Sequence, residues 1–186
     1  DRNQPDYLKS VDTWHDEIAN TWLETLNKEL PGGGAAALMI WGDPSLYDSS
    51  LRIAQRLKSR VKSLTVKVTP GLTSIQLLTA AHCITLNEIG APVMISTGRQ
   101  LREKGWPAGC NTLVVMLDGD CSFDHLDGEK YLIWWGAFLG MPNELVISGQ
   151  LQKCADVIKS SREEAREQHG WIMDIYLLRP KINSTI

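Results

Sequence analysis

The sequence predicts an α/β fold built from two α/β units, and three observations support this. Short apolar, β-branched runs alternate along the chain with segments in which apolar residues recur every three or four positions. The runs are typical of buried strands, and the recurring pattern is typical of amphipathic helices. Glycine and proline punctuate most of the junctions. Alternation of this kind over 186 residues indicates helices layered on sheets.

The first part of the chain is predicted to hold two helices and two strands. Apolar residues step by three or four through residues 5–30, which indicates a long amphipathic helix. Residues 35–41 form an apolar run and residues 63–69 alternate in polarity, and both patterns favour strands. Between them a helix is predicted from Ser45, with Asp43 or Ser45 as its cap.

The rest of the chain continues the alternation. The predicted strands are residues 92–96, 111–117, 131–138, 144–148 and 171–178, and the predicted helices are residues 72–84, 99–104 and 151–169. The continuous β-branched run in 111–117 predicts a central strand. The mixed charges of 162–167 have helical spacing, so we interpret them as a solvated helix face. Gly170 is predicted to end that helix in a left-handed conformation.

The order of elements favours two domains joined near residues 69–73. Residues 1–70 are assigned to a first α/β domain and residues 92–186 to a second. Residues 71–91 are assigned to a linker helix region. Each domain is long enough to need its own core.

Composition narrows the classes of function. The net charge is −3 and the pI is about 5.8, and no basic stripe is visible, which argues against nucleic acid or a membrane surface as partner. The apolar runs are too short to span a bilayer. A small molecule or another protein is the expected partner, and a soluble cytoplasmic protein is the expectation.

The spacing of the cysteines and histidines does not indicate a metal site. The four cysteines are far apart and form no Cys-x-x-Cys pair, so we interpret them as free and mostly buried thiols, as suits a reducing cytoplasm. The four histidines are scattered without partners at ligand spacing. No metal is expected.

Turns that follow predicted strands are the candidate ligand-binding features. They are Gly42-Asp43-Pro44, residues 70–74, residues 117–119 and Trp135-Gly136. In open α/β sheets ligands bind beyond the carboxyl ends of strands. Glycine there lets the backbone approach a ligand, and Asp and Thr supply polar groups. No glycine-rich dinucleotide motif and no Walker lysine is present.

Five strings together resemble the tetrapyrrole methylases. They are WGDPSLYDSS, PGLTSIQLLTAAHCITLNEIG, NTLVVMLDGD, WWGAFLGMPNELVISGQL and HGWIMDIYLLRP, and the resemblance runs over about residues 14–179. Gly-Asp-Pro and Pro-Gly-x-Thr-Ser are shared by the whole superfamily. WGDPSLYDS, MLDG and GWIMD-YLL are more particular to its deacetylating branch in cobalamin biosynthesis, which is the closest match.

The resemblance implies a two-domain fold with S-adenosylmethionine in a cleft between the domains. It also implies a homodimer and a precorrin substrate. The implied reaction is methylation of carbon C1 of precorrin-5, with the acetyl fragment leaving as acetate to give precorrin-6A.

The resemblance also assigns site residues. The cofactor-binding set is Gly42, Asp43, Pro44, Tyr47, Thr73, Ser74, Met116, Leu117, Trp135 and Gly136, with the region of Ile172 and Met173 as a looser wall. A base for deacetylation would come from Asp43, Asp118 or Asp120. Arg99 and Arg102 are candidates for the carboxylates of the substrate, against the alternative of a solvated helix face.

Two departures from the family pattern stand out. In the family an amino-terminal strand and a glycine-rich loop precede the region seen here, so we expect this chain to be part of a longer polypeptide whose first domain is incomplete. In addition, Asp120 stands where family members more often have a second glycine.

Two alternatives remain open at this level. The first is a methylase of the same fold with a different tetrapyrrole or small-molecule acceptor. The second is a non-catalytic protein that binds cofactor or a partner protein. A general α/β domain without either role is a weaker reading, because the five strings occur in order.

Overall fold

The computed structural model describes residues 7–181. The chain divides into two compact units, the first ending at Thr73 and the second beginning at Ser74. The predicted linker region, residues 71–91, straddles this division.

Two helices make up the ordered core of the first unit. Helix α1 (Tyr7–Glu29) and helix α2 (Ser50–Arg60) pack together around the buried side chains of Ala19, Ile53 and Leu57. The predicted long helix is therefore confirmed, although residues 5 and 6 of the prediction lie outside the described residues.

Ion pairs join α1 and α2, and the side of α1 that is buried differs from the one that the apolar pattern predicts. Arg56 and Arg60 of α2 both form ion pairs with Asp16 of α1, at 3.0 and 2.6 Å. Trp14 belongs to the series of apolar residues spaced by three or four that predicted this helix, yet it is 50% exposed, and the adjacent His15 is buried instead. The Nε2 atom of His15 lies 2.9 Å from the Ser49 hydroxyl, so a polar contact fixes which side of α1 faces inward.

The second helix begins later than predicted. The expected start was Ser45, but α2 begins at Ser50, whose backbone N–H donates to Asp48 Oδ1 at 2.6 Å. Asp43 therefore caps no helix. The chain cannot be helical through Tyr47, because that residue has φ +50°.

The two strands predicted in the first unit are absent from the structure. Residues 35–41 and 63–69 are irregular and largely exposed, with Met39 98% exposed and Val66 and Val68 also exposed. The prediction was wrong here because an apolar or alternating pattern records only a tendency, whereas a strand needs a neighbour to pair its backbone groups. Among the described residues of this unit, no segment provides such a neighbour.

The second unit is built on one mixed five-stranded sheet. The strands are β1 (Val93–Thr97), β2 (Thr112–Met116), β3 (Tyr131–Ala137), β4 (Leu145–Gln150) and β5 (Asp174–Pro180), in the order β1-β2-β5-β3-β4. The helices are α3 (Ser74–Ala81), α4 (Gly98–Lys104) and α5 (Leu151–His169). All of these elements were predicted, with β5 starting three residues later than expected.

Strand pairing positions the candidate site. β1 and β2 are parallel, with Thr97 opposite Met116. Their carboxyl ends therefore meet at one edge of the sheet. β5 runs antiparallel to both β2 and β3. As predicted for 111–117, β2 is an interior strand, and its side chains at Leu113, Val114 and Val115 are fully buried.

Several smaller expectations can be compared with the structure. The four cysteines are free, as predicted, but only Cys110 and Cys154 are buried, while Cys121 is partly exposed and Cys83 is exposed. Gly170 has φ +72° and ends α5 in the left-handed conformation, as predicted. No helix in the described part of the chain is long and apolar enough to cross a membrane.

Candidate functional site

Asp43 ties two turns of the first unit together. Its Oδ1 accepts hydrogen bonds from the Ser45 backbone N–H, at 2.9 Å, and from the Ser45 hydroxyl, while its Oδ2 accepts from the Gly71 N–H at 2.9 Å. The hydrogen bond from the Ser45 side chain, followed by that from Gly71, lowers the pKa of Asp43. The carboxylate is therefore ionised and committed to holding the Gly-Asp-Pro and Pro-Gly turns.

The same two turns touch through their backbones. A Cβ atom at Gly71 would lie 2.3 Å from the carbonyl oxygen of Gly42, so only glycine allows this approach. Gly42 itself has φ +87°, while Pro44 is buried and Tyr47 is exposed. The sequence placed each turn after an apolar run but gave no sign that Asp43 joins them.

In the second unit, the start of α4, which follows β1 directly, meets the loop after β2 at the carboxyl edge of the sheet. Thr97 ends β1 and caps α4 by accepting a hydrogen bond from the Gln100 N–H at 3.4 Å. A Cβ at Gly98 would lie 2.2 Å from Oδ1 of Asp118. The start of α4 and the loop after β2 are therefore in direct contact where parallel α/β sheets bind ligands.

Leu117 is the exposed residue at this edge. It follows the last residue of β2, is 55% exposed and has φ +53°, a conformation that is unfavourable for leucine. Strain of this type concentrates at functional sites. The predicted cofactor-binding residues Met116 and Leu117 thus lie at the mouth of the β2 loop, Met116 partly exposed.

Asp118 is buried directly behind Leu117 and accepts several hydrogen bonds. Its Oδ2 accepts from the Tyr176 hydroxyl and from the Ser122 N–H, both at 2.6 Å, and its Oδ1 accepts from the Ser122 hydroxyl at 2.7 Å and the Asp120 N–H at 3.2 Å. Burial raises the pKa of Asp118, but these hydrogen bonds outweigh it, so the pKa is lowered overall. Burial raises the pKa of Tyr176 well above its ordinary value, and the phenol stays a neutral donor.

Arg162 forms the second half of this buried arrangement. Its guanidinium donates to the Asp118 carbonyl oxygen at 2.7 Å and to Cys121 Sγ at 2.8 Å. Its Nε lies 2.9 Å from Oδ2 of Asp174, which also accepts from the indole N–H of Trp135 at 2.8 Å. Burial raises the pKa of Asp174 in spite of the neighbouring guanidinium. We call Asp118, Ser122, Arg162, Asp174 and Tyr176 the buried polar cluster.

The interpretation of residues 162–167 as a solvated face was wrong for Arg162, which is 4% exposed. The sequence holds a weak signal of this. Arg162 follows Cys154 and Ile158 at steps of four, and both of these residues are buried. A run of charged residues does not show which of them faces the core. Asp174 and Tyr176 lie in the GWIMD-YLL string that supported the resemblance, but no role was assigned to them, and Ser122 carried no functional signal in the sequence.

The two arginines predicted for substrate binding have different surroundings. Arg102 forms ion pairs with Asp120 at 2.9 Å and Asp118 at 3.4 Å, and donates to the Ser122 hydroxyl at 2.7 Å. It therefore ties the exposed Asp120 to the buried polar cluster. Arg99 is exposed and lies 3.8 Å from Glu103. A role for either in substrate binding stays a prediction.

The remaining predicted cofactor residues lie elsewhere in the second unit or at its border. Trp135 has no exposed surface, and its carbonyl oxygen accepts from His82 Nε2 at 2.9 Å. Gly136 is also buried. Thr73 ends the first unit and Ser74 begins α3. A role for Trp135 and Gly136 in cofactor binding stays a prediction.

The contribution of Asp118 to the free energy of unfolding is expected to decrease as the pH is lowered. Its folded pKa is lowered, so its contribution is complete above the unfolded pKa of about 3.9 and is lost as the pH falls through the folded pKa. We expect the difference in free energy of unfolding between wild type and Asp118→Asn to stay constant from about pH 7 to about pH 5 and to shrink below about pH 4. Urea unfolding at several pH values measures this difference. Growth of the difference on acidification would contradict the assignment.

Comparison with known proteins identifies the family to which the chain belongs. Residues 2–155 match the family described as Tetrapyrrole (Corrin/Porphyrin) Methylases. The chain belongs to this family. A curated relative from Sinorhizobium sp., the precorrin-6A synthase (deacetylating), is 48% identical over 174 residues, which make up 93% of this chain and 66% of that relative. This tetrapyrrole methylase chain thus spans just under two thirds of that relative's length.

Solved structures agree with the fold. A protein from Corynebacterium diphtheriae, described as related to cobalamin synthesis (CobF), has a TM-score of 0.82 and 41% identity, over 92% of this chain and 72% of that one. The uroporphyrin-III C-methyltransferase of Thermus thermophilus, solved with S-adenosylhomocysteine, has a TM-score of 0.58 and 17% identity over 88% of this chain and 72% of that one. At 17% identity, the similarity to the Thermus thermophilus enzyme supports the fold and nothing more specific. The resemblance identified from the five strings is confirmed.

Members of this family use S-adenosylmethionine, and the carboxyl edge of β1 and β2 fits that cofactor in its chemistry. Leu117 offers an exposed apolar surface suited to an adenine ring.

Proposed function

We propose that this chain acts as an S-adenosylmethionine-dependent C-methyltransferase on a precorrin. The specific reaction is methylation of carbon C1 of precorrin-5 with loss of the acetyl fragment as acetate, giving precorrin-6A. The observation that carries the proposal is the 48% identity, over 93% of the chain, to the Sinorhizobium sp. precorrin-6A synthase (deacetylating). Identity of that extent covers nearly all the residues described above.

S-adenosylmethionine, when bound, supplies a methyl group on a positively charged sulfur. Transfer to a carbon nucleophile is an in-line displacement, so most of the rate gain comes from holding the two reactants in line. Gly42, Asp43, Pro44, Tyr47, Thr73, Ser74, Met116 and Leu117 make up the proposed cofactor-binding set.

Release of the acetyl fragment as acetate consumes one water, which adds to the acetyl carbonyl and gives up a proton as the carbon–carbon bond to the macrocycle breaks. We assign Asp120 as the acceptor of that proton. The oxygens of Asp43 and Asp118 are occupied by hydrogen-bond donors. The side chain of Asp120 is exposed, and Arg102 orients it from 2.9 Å. A carboxylate that is oriented by a fixed cation and open to solvent can receive a proton from a bound substrate or water.

The experiment is a transfer assay with a precorrin and S-adenosylmethionine that carries an isotopically labelled methyl group. Wild type should label precorrin-5 and release one acetate for each methyl group transferred. Asp120→Asn should slow acetate release about a hundredfold. Asp127→Asn is the matched control, because Asp127 is also an exposed carboxylate paired with a cation, in its case Lys130 at 2.8 Å.

The outcomes separate the proposal from its alternatives. Labelling of a different tetrapyrrole would contradict the assigned acceptor, and no labelling of any tetrapyrrole would favour a non-catalytic role. Equal acetate release by Asp120→Asn and wild type would remove Asp120 from the mechanism.

We also propose that the protein works as a homodimer in the cytoplasm. Both edge strands of the sheet carry exposed apolar side chains, Met94 and Ile95 on β1 and Leu145 and Val146 on β4. An exposed edge strand of this composition is suited to pairing with a second copy.

A further inference from the structure

We propose that the buried polar cluster is the device that holds Leu117 in its left-handed conformation and so sets the position of the loop that faces the cofactor, a role that rests on the proposed function. Tyr176 and Arg162 are then positioning residues. Each acts through the loop, since both are almost completely buried.

The first step is that Leu117 is fixed from both sides. On one side, Met116 is the last residue of β2 and is paired with Thr97 of β1. On the other side, the Asp118 side chain is held by Tyr176 and Ser122, and its backbone carbonyl oxygen accepts from Arg162 at 2.7 Å. A left-handed conformation is unfavourable for leucine, and Leu117 keeps it because both neighbouring residues are held in place.

The second step is that the far end of the same loop is fixed by the same arginine. Cys121 also has a positive φ, +55°, and its Sγ lies 2.8 Å from a guanidinium nitrogen of Arg162. Residues 117–121 therefore begin and end in unfavourable backbone conformations, and Arg162 reaches both ends, through the carbonyl of Asp118 and the thiol of Cys121. Asp174 in turn holds the guanidinium from β5.

Tyr176 can influence a ligand only through the loop that it anchors. The Tyr176 side chain is 1% exposed and reaches the loop through one hydrogen bond to Asp118. Removing that hydroxyl deletes a donor and leaves the ring in place. Any change in ligand affinity must then pass through the loop, because the phenol has no exposed surface with which to touch a ligand.

The test compares Tyr176→Phe with Tyr131→Phe. Tyr131 begins β3, and Trp135, the residue opposite Tyr176, lies four positions along that strand, about 13 Å away. Tyr131→Phe therefore makes the same chemical change in the same sheet away from the loop. The two readouts are backbone hydrogen exchange, residue by residue, and calorimetric titration with S-adenosylhomocysteine, both far below the unfolding temperature.

The expected result is local. In Tyr176→Phe, exchange at residues 117–121 should rise about tenfold and the affinity for S-adenosylhomocysteine should fall about tenfold, the effect of one lost hydrogen bond to a charged group. Exchange along β4 should not change, and Tyr131→Phe should behave as wild type in both readouts. Arg162→Lys, which keeps the charge and loses the forked donor, should show the same local pattern.

Other outcomes overturn the inference in whole or in part. Unchanged exchange at residues 117–121, or a uniform rise over the whole sheet, would show that the buried polar cluster does not hold the loop. Faster loop exchange with unchanged affinity would support the anchoring of Leu117 and overturn its link to the cofactor. No binding by wild type would instead count against the proposed function, and the exchange data would still decide whether the cluster anchors the loop.

Discussion

Replacing Arg162 by methionine should lower the free energy of unfolding by about 3–5 kcal/mol, the range for removing one partner of a buried ion pair. Methionine is about as long as the aliphatic part of arginine, so the stability is lost mainly through the missing hydrogen bonds and ion pair. Asp174 would keep only the Trp135 indole as a donor, and the carbonyl oxygen of Asp118 would lose a hydrogen bond of 2.7 Å. Equilibrium unfolding in urea measures the change.

Arg166→Met is the control for that substitution. Arg166 lies one helical turn further along α5 and is exposed. Its hydrogen bond to the Gly119 carbonyl oxygen is long, at 3.4 Å. Its replacement should change stability by no more than about 0.5 kcal/mol. Equal effects of the two substitutions would show that Arg162 contributes no more than a surface charge, contrary to the structure.

Gly98→Ala should be the second large effect, with a loss of about 3 kcal/mol and a displaced β2 loop. The added Cβ would lie 2.2 Å from Oδ1 and 2.6 Å from Cβ of Asp118. Asp118 cannot move aside easily, because Tyr176 and Ser122 hold its carboxylate. The strain must therefore open the contact between the start of α4 and the loop after β2. Thermal unfolding and hydrogen exchange at residues 117–121 report the two consequences.

Gly119→Ala makes the same chemical change in the same loop. A Cβ at Gly119 would meet nothing within 4 Å, and the residue does not need a positive φ. It should leave stability within about 0.5 kcal/mol of wild type. A loss on Gly119→Ala as large as that on Gly98→Ala would mean that the loop tolerates no side chain anywhere, and the specific clash with Asp118 would not explain the result.

The sheet of the second unit could be predicted from sequence because its signals are local. The β-branched run of β2 and the regular spacing of α5 identify these elements without any knowledge of their neighbours. The strands predicted at residues 35–41 and 63–69 failed for the opposite reason. A strand depends on a partner that lies elsewhere in the chain, and no described residue of the first unit supplies one.

The candidate site shows the same limit. Family strings identified the Gly-Asp-Pro turn and the residues around Leu117, since each is a contiguous motif. The contacts that give these motifs their shape join distant positions, such as Asp43 with Gly71 and Asp118 with Tyr176. Sequence spacing carries no information about such pairs, so the buried polar cluster emerged only from the structure.

The central proposal is that this member of the tetrapyrrole methylases binds S-adenosylmethionine with the Gly-Asp-Pro turn among its contacts. Calorimetric titration with S-adenosylhomocysteine, on the 186-residue chain and on the product of the gene that encodes it, tests this directly. Binding should be seen with wild type and with Gly32→Ala, where a Cβ meets nothing within 4 Å. It should weaken by more than about tenfold in Gly71→Ala, whose Cβ would force the Gly42 turn away. No binding by the wild-type gene product, or undiminished binding by Gly71→Ala, would contradict the account.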